Sequence, residues 1–255
     1  MSPGRTAIVD RLRAAGSVFA EDEARLLIES AKSPAELRAM VDRRVAGLPL
    51  EQVVGWAEFG GLRIALEPGV FVPRRRTELL VREAAARTPP GATVVDLACG
   101  SGALGVALAA LVEGVTLYAV DIEPAAVRCA ERNLAGLGQV YQGDLYDPLP
   151  VRLRGEVDLL LANVPYVPTH AVDLLPREAR MHEPLVALDG GADGLDVLRR
   201  VAAGARDWLA PGGHLFLETG ADQAAAALDA LARAGLTPTA VSDDELPATV
   251  VIGRN

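Results

Sequence analysis

Cysteine, histidine and lysine are scarce in this 255-residue chain, which has two, three and one of them. Cys99 and Cys129 share no CxxC spacing and no histidine cluster, so no metal site is expected. His170, His182 and His214 are scattered in the manner of surface or capping residues. Twenty-four of the 25 basic residues are arginine, better explained by genome composition than by chemistry. No apolar run approaches the ~18 residues of a membrane span. The longest, around Ala103 to Val112, is too short, and the opening 1–16 lacks a signal-peptide core. A cytoplasmic protein with no membrane partner is expected. Half of the residues are hydrophobic, which excludes disorder. Scaling of area with mass lets about 70% of the surface be buried, enough for a core without disulfides or metals.

The net charge is −9, unevenly spread. Residues 1–90 hold 14 basic and 12 acidic side chains, net +2, and residues 91–255 hold 11 and 22, net −11. A region at −11 is a poor partner for a long phosphate backbone, which argues against nucleic acid.

Residues 1–46 read as a small helical domain, with Ile8, Val9, Leu12 and then Val18, Phe19, Leu26 and Leu27 near helical spacing. Ser33-Pro34 followed by Glu36 marks a helix start, and Gly47 and Pro49 end that helix. Residues 47–76, rich in Gly and Pro, read as a linker with a β-hairpin near Leu62–Leu66. Residues 77–255 read as the catalytic domain. A helix over Thr77–Arg87 leads into alternating strands and helices, with strands at 93–97, 116–120, 139–143, 157–162 and 214–218. A turn at Pro211-Gly212-Gly213 precedes the last of these, and a hairpin over 237–241 and 249–252 closes the sheet. The pattern predicts an α/β fold with a mostly parallel sheet covered on both faces.

Two motifs carry chemistry. Asp96-Leu97-Ala98-Cys99-Gly100-Ser101-Gly102 and Gly105 form a Gly-rich turn between strand and helix, where backbone can approach a ligand. Gly100, Gly102 and Gly105 satisfy the dinucleotide GxGxxG, weak evidence alone. Asp96 favours S-adenosylmethionine instead, because a carboxylate suits that cofactor's cationic end and repels a pyrophosphate. Asp121 and Asp144 end the next two strands. They are placed to accept from the ribose hydroxyls and the adenine amino group. Each acid alone could instead cap a helix. The second motif, Asn163-Val164-Pro165-Tyr166, ends an apolar strand. The Asn163 side chain and the Val164 carbonyl can accept both hydrogens of a planar NH₂ group, and Tyr166 can stack on its plane. The bland alternative is a turn with a packing tyrosine.

These motifs, in this order, resemble the HemK/PrmC family of protein-(glutamine-N(5)) methyltransferases, which modify the GGQ glutamine of peptide-chain release factors. The resemblance covers most of the chain. It includes residues 43–50, 55–59 and 68–74, Thr77-Glu78, Gly143-Asp144, His182-Glu183-Pro184 and 190–195. It implies the class I methyltransferase fold, Rossmann-like with a seven-stranded sheet; residues 1–46, nearly neutral beside an acidic remainder, are expected to recognise the protein substrate. It also implies cofactor contacts from Asp96, Ala98, Gly100, Gly102, Asp121, Ile122, Asp144, Leu145 and Asn163. The acceptor amide falls to Asn163, Val164, Pro165 and Tyr166, with Phe71 on its other face and Arg74 beside the site. Arg74, Arg75 and Arg76 could equally be a solvated basic cluster. The chain departs from the family pattern in three places. Val164 replaces a proline, Arg75-Arg76 replace Pro-Glu, and Ala98 replaces the first loop glycine. These changes mark a divergent subfamily; the acceptor the resemblance implies is a release-factor glutamine, and a monomer is expected. The competing readings are an exocyclic amine of a flipped base, a small-molecule amine, and a cofactor-binding protein without catalysis.

Overall fold

The computed structural model describes residues 4–255. Its first helices are α1 (Arg5–Ala14), α2 (Ala20–Ser30), α3 (Pro34–Val45) and α4 (Leu50–Val54). α3 starts where the sequence places it. Ser33 Oγ accepts from the Glu36 amide at 3.1 Å, and Pro34 takes the first helical position, where its missing N–H costs nothing. Ile8, Leu12, Leu27, Met40 and Val41 close into one buried cluster. Val53 of α4 belongs to it too, so helical packing continues past residue 46 into the expected linker. The linker also holds the antiparallel hairpin of β1 (Trp56–Phe59) and β2 (Leu62–Ala65).

Beyond it come α5 (Glu78–Ala85), β3 (Thr93–Leu97), α6 (Ala103–Leu111), β4 (Thr116–Asp121), α7 (Pro124–Asn133) and β5 (Gly138–Gln142). They are followed by β6 (Val157–Ala162), α8 (Arg177–His182), α9 (Asp196–Trp208), β7 (Leu209–Thr219), α10 (Ala224–Arg233), β8 (Thr237–Asp243) and β9 (Ala248–Arg254). The seven strands from β3 onward form one sheet in the order β5-β4-β3-β6-β7-β9-β8. β3 to β7 run parallel, and β9 and β8 add the antiparallel hairpin. This is the seven-stranded sheet the sequence predicts. Successive strand residues feed opposite cores. Val94, Leu159 and Leu161 pack with α5 and α6, and Val95, Leu160 and Ala162 pack with α9 and α10. Gly105 lets α6 lie against β4, since a Cβ there would come within 2.7 Å of Leu117 Cδ2.

Three local expectations change. Pro211-Gly212-Gly213 is not a turn before a strand. β7 already begins at Leu209, and pairing with β6 jumps from Val157↔Leu209 to Leu159↔His214, so the glycines form a bulge. β5 stops at Gln142, which leaves Asp144 two residues beyond the strand end. Residues 167–190, with no expected element, fold into α8 flanked by short helical turns at 169–174 and 185–187.

Arg44 fastens the helical region to the rest. Its guanidinium donates to both oxygens of Glu23 on α2 at 2.8 and 2.9 Å, to Glu178 on α8 at 2.5 Å and to the Leu48 carbonyl at 3.0 Å. Among the described residues no helix is long and apolar enough to cross a membrane.

Candidate active site

The strand order reverses beside β3, with β4 and β5 on one side and β6 and β7 on the other. Connections leave in opposite directions there, and a crevice opens above the carboxyl strand ends. A cavity of about 470 Å³ fills it, a size that suits a small-molecule ligand. Among the described residues no cluster of three or more His, Cys, Asp or Glu could hold a metal.

One wall comes from the Gly-rich loop and the end of β4. Ala98, Gly100, Asp121 and Ile122 all line the cavity. Asp121 Oδ2 accepts from the Gly100 amide at 2.8 Å and Oδ1 from the Glu123 amide at 2.9 Å. Burial raises its carboxyl above the usual range, against the pull of those two amides. Each oxygen keeps lone-pair capacity for a ribose diol. Ile122, an exposed aliphatic side chain at 47%, offers an apolar face for a base. Ala98 holds φ 54°, the left-handed conformation that glycine adopts more readily. The wall presents the Asp121 carboxylate and the aliphatic face of Ile122 beside the 98–101 backbone, a donor set that fits S-adenosylmethionine. Asp121→Ala should weaken cofactor binding by about 1–3 kcal/mol, the worth of hydrogen bonds to a charged acceptor. Calorimetry measures it, and an unchanged affinity would remove Asp121 from the ribose site.

Asp96, Gly102, Asp144 and Leu145 are not cavity walls. Gly102 opens α6 at φ 77°, packed near Leu134. Asp144 pairs with Arg200 at 2.7 Å on the outside, and Leu145, at φ 49°, packs on the core. Asp96 lies fully buried inside β3, and neither of its oxygens has a hydrogen-bond partner among the described residues. Burial pushes its carboxyl up to about 8, opposed by the nearby Gly105 amide, which falls short of hydrogen-bond geometry, and reinforced by Asp121. The folded chain thus holds a proton on Asp96 that the unfolded chain releases in the ordinary carboxylate range. Stability from this group is complete at low pH and is lost as pH rises toward about 8. Asp96→Asn should flatten that dependence, seen as a smaller fall in melting temperature between acidic and mildly alkaline buffer.

The opposite wall is the end of β6. Asn163 Nδ2 donates to Thr77 Oγ1 at 3.2 Å, which turns Oδ1 away from that bond. Neither Asn163 Oδ1 nor the Val164 carbonyl accepts a hydrogen bond from the described residues. The Val164 side chain is buried in the core behind the loop. Packing therefore anchors the position where the resemblance led us to expect a stiffening proline. Gly190 lets a neighbouring loop press on this one, since a Cβ there would meet the Pro165 carbonyl at 2.6 Å. That contact explains part of the 190–195 signature. Phe71 and Tyr166 both line the cavity.

Arg74 and Arg76 are not a solvated cluster. Arg74 donates to the buried Glu183 at 2.6 Å, with its guanidinium 5.0 Å from the Phe71 ring centre. Arg76 donates to the buried Glu218 at 3.0 Å and to the Tyr166 hydroxyl at 2.6 Å. Of the three, only Arg75 stays exposed without a buried partner. Cys99 also lines the cavity, and burial, with Asp96 and Asp121 nearby, pushes its thiol up and keeps it un-ionised. Sequence reasoning missed Thr77, Arg76 and Glu218 as site residues. Glu218 had a readable signal, as the lone charge closing the apolar run Leu215-Phe216-Leu217.

Residues 61–180 match the model of the Methyltransferase small domain family. The chain is 37% identical over 227 residues to a release factor glutamine methyltransferase of Geobacter sulfurreducens, covering 87% of this chain and 79% of that protein. It is 42% identical over 193 residues to a 4-amino-L-phenylalanine/4-methylamino-L-phenylalanine methyltransferase of Streptomyces pristinaespiralis, covering 72% and 65%. A solved methyltransferase from Pyrococcus furiosus shares the fold at TM-score 0.58 and 15% identity, over 76% of this chain and 89% of that one. The donor wall, the paired acceptors on β6 and this kinship agree, and the chain belongs to the HemK/PrmC family of S-adenosylmethionine-dependent release factor glutamine methyltransferases.

Proposed function

We propose that this protein methylates the side-chain amide nitrogen of a glutamine in a protein substrate, the GGQ motif of a peptide-chain release factor. The observation that carries the reading is the pair of unused acceptors, Asn163 Oδ1 and the Val164 carbonyl, in a cavity that Phe71 and Tyr166 also line. Asp121, Ile122 and the 98–101 loop would hold S-adenosylmethionine, which would supply an electrophilic methyl group. The chain's own residues prepare the nucleophile. An amide nitrogen is weak because its lone pair is delocalised. Two acceptors on its hydrogens polarise it and aim the lone pair across the cavity, and the two rings hold its faces. The same acceptors stabilise positive charge that develops on nitrogen. The methylated nitrogen is acidic enough to lose its proton to water, so no base is required.

The small-molecule alternative has one observation behind it, the relative named for an aromatic amino acid that also carries a planar NH₂ group. Labelled methyl transfer to purified release factor, with the GGQ glutamine changed to alanine as control, separates the two. Label on the parent factor alone supports the glutamine reading, and label only on free 4-amino-L-phenylalanine overturns it. Val164→Pro should change the transfer rate by less than a few-fold. It leaves the carbonyl in place, and the Val164 amide makes no hydrogen bond that proline would lose. A large rate loss would mean that the buried valine side chain sets the carbonyl's position.

The helical region at the start of the chain is read as the docking element for the protein substrate. It is nearly neutral where the catalytic region is strongly acidic, and it abuts α8 through Arg44. The reading has the protein acting as a cytoplasmic monomer.

A further inference from the structure

We infer that Glu218 is a positioning residue for the methyl acceptor, acting through Tyr166; the inference rests on the glutamine reading above. Tyr166 is the one aromatic ring carried by the acceptor loop itself, and both ends of its long axis are tied. At the backbone end, its carbonyl accepts from Gln223 Nε2 at 2.9 Å, and the same nitrogen reaches the Asp193 carbonyl at 2.9 Å. At the phenol end, the hydroxyl donates to Glu218 Oε1 at 2.7 Å and accepts from Arg76 Nη2 at 2.6 Å. Arg76 Nε closes the triangle on the same carboxylate oxygen at 3.0 Å.

The cost of this arrangement argues for a purpose. Glu218 is 1% exposed, at the carboxyl end of β7, and its second oxygen is buried without a hydrogen-bond partner among the described residues. A half-satisfied buried carboxylate destabilises a fold unless something offsets it, and an apolar residue there would continue the run Leu215-Phe216-Leu217. What Glu218 supplies is a fixed point for the phenol. It also disfavours the phenolate. Burial first, and then the Glu218 charge, hold Tyr166 well above the ordinary tyrosine range, against the opposing pull of Arg76. The ring therefore stays a neutral platform, with the Arg76 guanidinium 5.7 Å from its centre. A planar amide lying on that platform keeps its nitrogen in line with the donor only while the ring stays put, and small misplacements of reacting groups cost up to about 10²-fold in rate.

The test is a double-mutant cycle with Tyr166→Phe and Glu218→Gln. Single-turnover transfer to release factor and cofactor affinity are measured on all four proteins. Glu218→Gln keeps the side-chain shape, so a folded protein is retained. We expect each single change to slow transfer about tenfold at unchanged cofactor affinity, and the double variant to be no slower than the worse single, because both break one linkage. An unchanged rate in Glu218→Gln, losses that multiply, or a loss of cofactor affinity would each overturn the assignment. A second readout needs no acceptor. The ¹³Cζ signal of Tyr166, identified by its absence in Tyr166→Phe, should change position at neutral pH in Glu218→Gln, because the hydroxyl loses its charged acceptor. If the parent fails to label release factor, the glutamine reading falls. The Tyr166 signal then decides the linkage by itself, and a signal that does not move overturns it.

Discussion

Asn163→Ala should slow methyl transfer by about 10²–10³, the usual cost of losing one preorganised hydrogen-bond partner of a reacting group. The side chain sits at the end of β6 with its nitrogen tied to Thr77, so its oxygen is committed to one direction before substrate arrives. Alanine removes that oxygen and leaves the Val164 carbonyl as the sole acceptor for two hydrogens. Cofactor affinity should barely move, because Asp121 and the 98–101 loop hang from β3 and β4, not from β6. Thr77→Val is the matching control. It releases the Asn163 nitrogen, lets the amide rotate and should cost less than the full deletion. Stopped single-turnover assays with calorimetry in parallel check both. An Asn163→Ala protein within a few-fold of the parent would reduce the motif to a turn.

Arg44→Ala should destabilise the helical region by about 3 kcal/mol, at the lower end of the range for removing one partner of a buried ion pair. The arginine and Glu23 are both 11% exposed, so the abandoned Glu23 carboxylate has little water to turn to. Burial opposes the charged guanidinium, but Glu23 and Glu178 more than offset it and raise its pKa. Glu178, at 45% exposure, can rehydrate, so its share of the loss is small. Adding Glu23→Gln to Arg44→Ala should recover part of the loss, since the orphaned charge is what costs most. Arg44→Lys should fall between, because an ammonium cannot bridge both Glu23 oxygens and reach Glu178 in one fork. Thermal melts and amide exchange in α2 and α3 measure this. A melting temperature within a degree of the parent would show that the pair is surface decoration.

Strand and helix alternation was readable because parallel strands buried on both faces are written as apolar runs, as in Val157 to Ala162. The site motifs were readable for a related reason. Asn163 and Asp121 are polar residues at the ends of such runs, where the fold puts ligands. The network behind Tyr166 was hidden because it is long-range. Arg76 and Glu218 are 142 positions apart, and no local spacing links them. Arg74 and Arg76 read like a solvated cluster since sequence shows their charge and not the buried carboxylates they reach. Asp144 shows the reverse case, a partner that local spacing does not reveal. Its place after a strand suggests an adenine contact, and in the folded chain the side chain pairs with Arg200 at the surface. The Gly212 bulge in β7 looked like a boundary because glycine and proline mark turns and bulges alike.

The crevice straddles the point where the strand order reverses, so its two walls belong to different halves of the sheet. In the proposed reading, the donor's contacts hang from β3 and β4 and the acceptor's from β6 and β7. Such a split makes the two specificities separately mutable. A library confined to positions 71, 76, 163–166 and 218 would sample new methyl acceptors while the donor wall, built from residues 98–101 and 121–123, kept its sequence throughout.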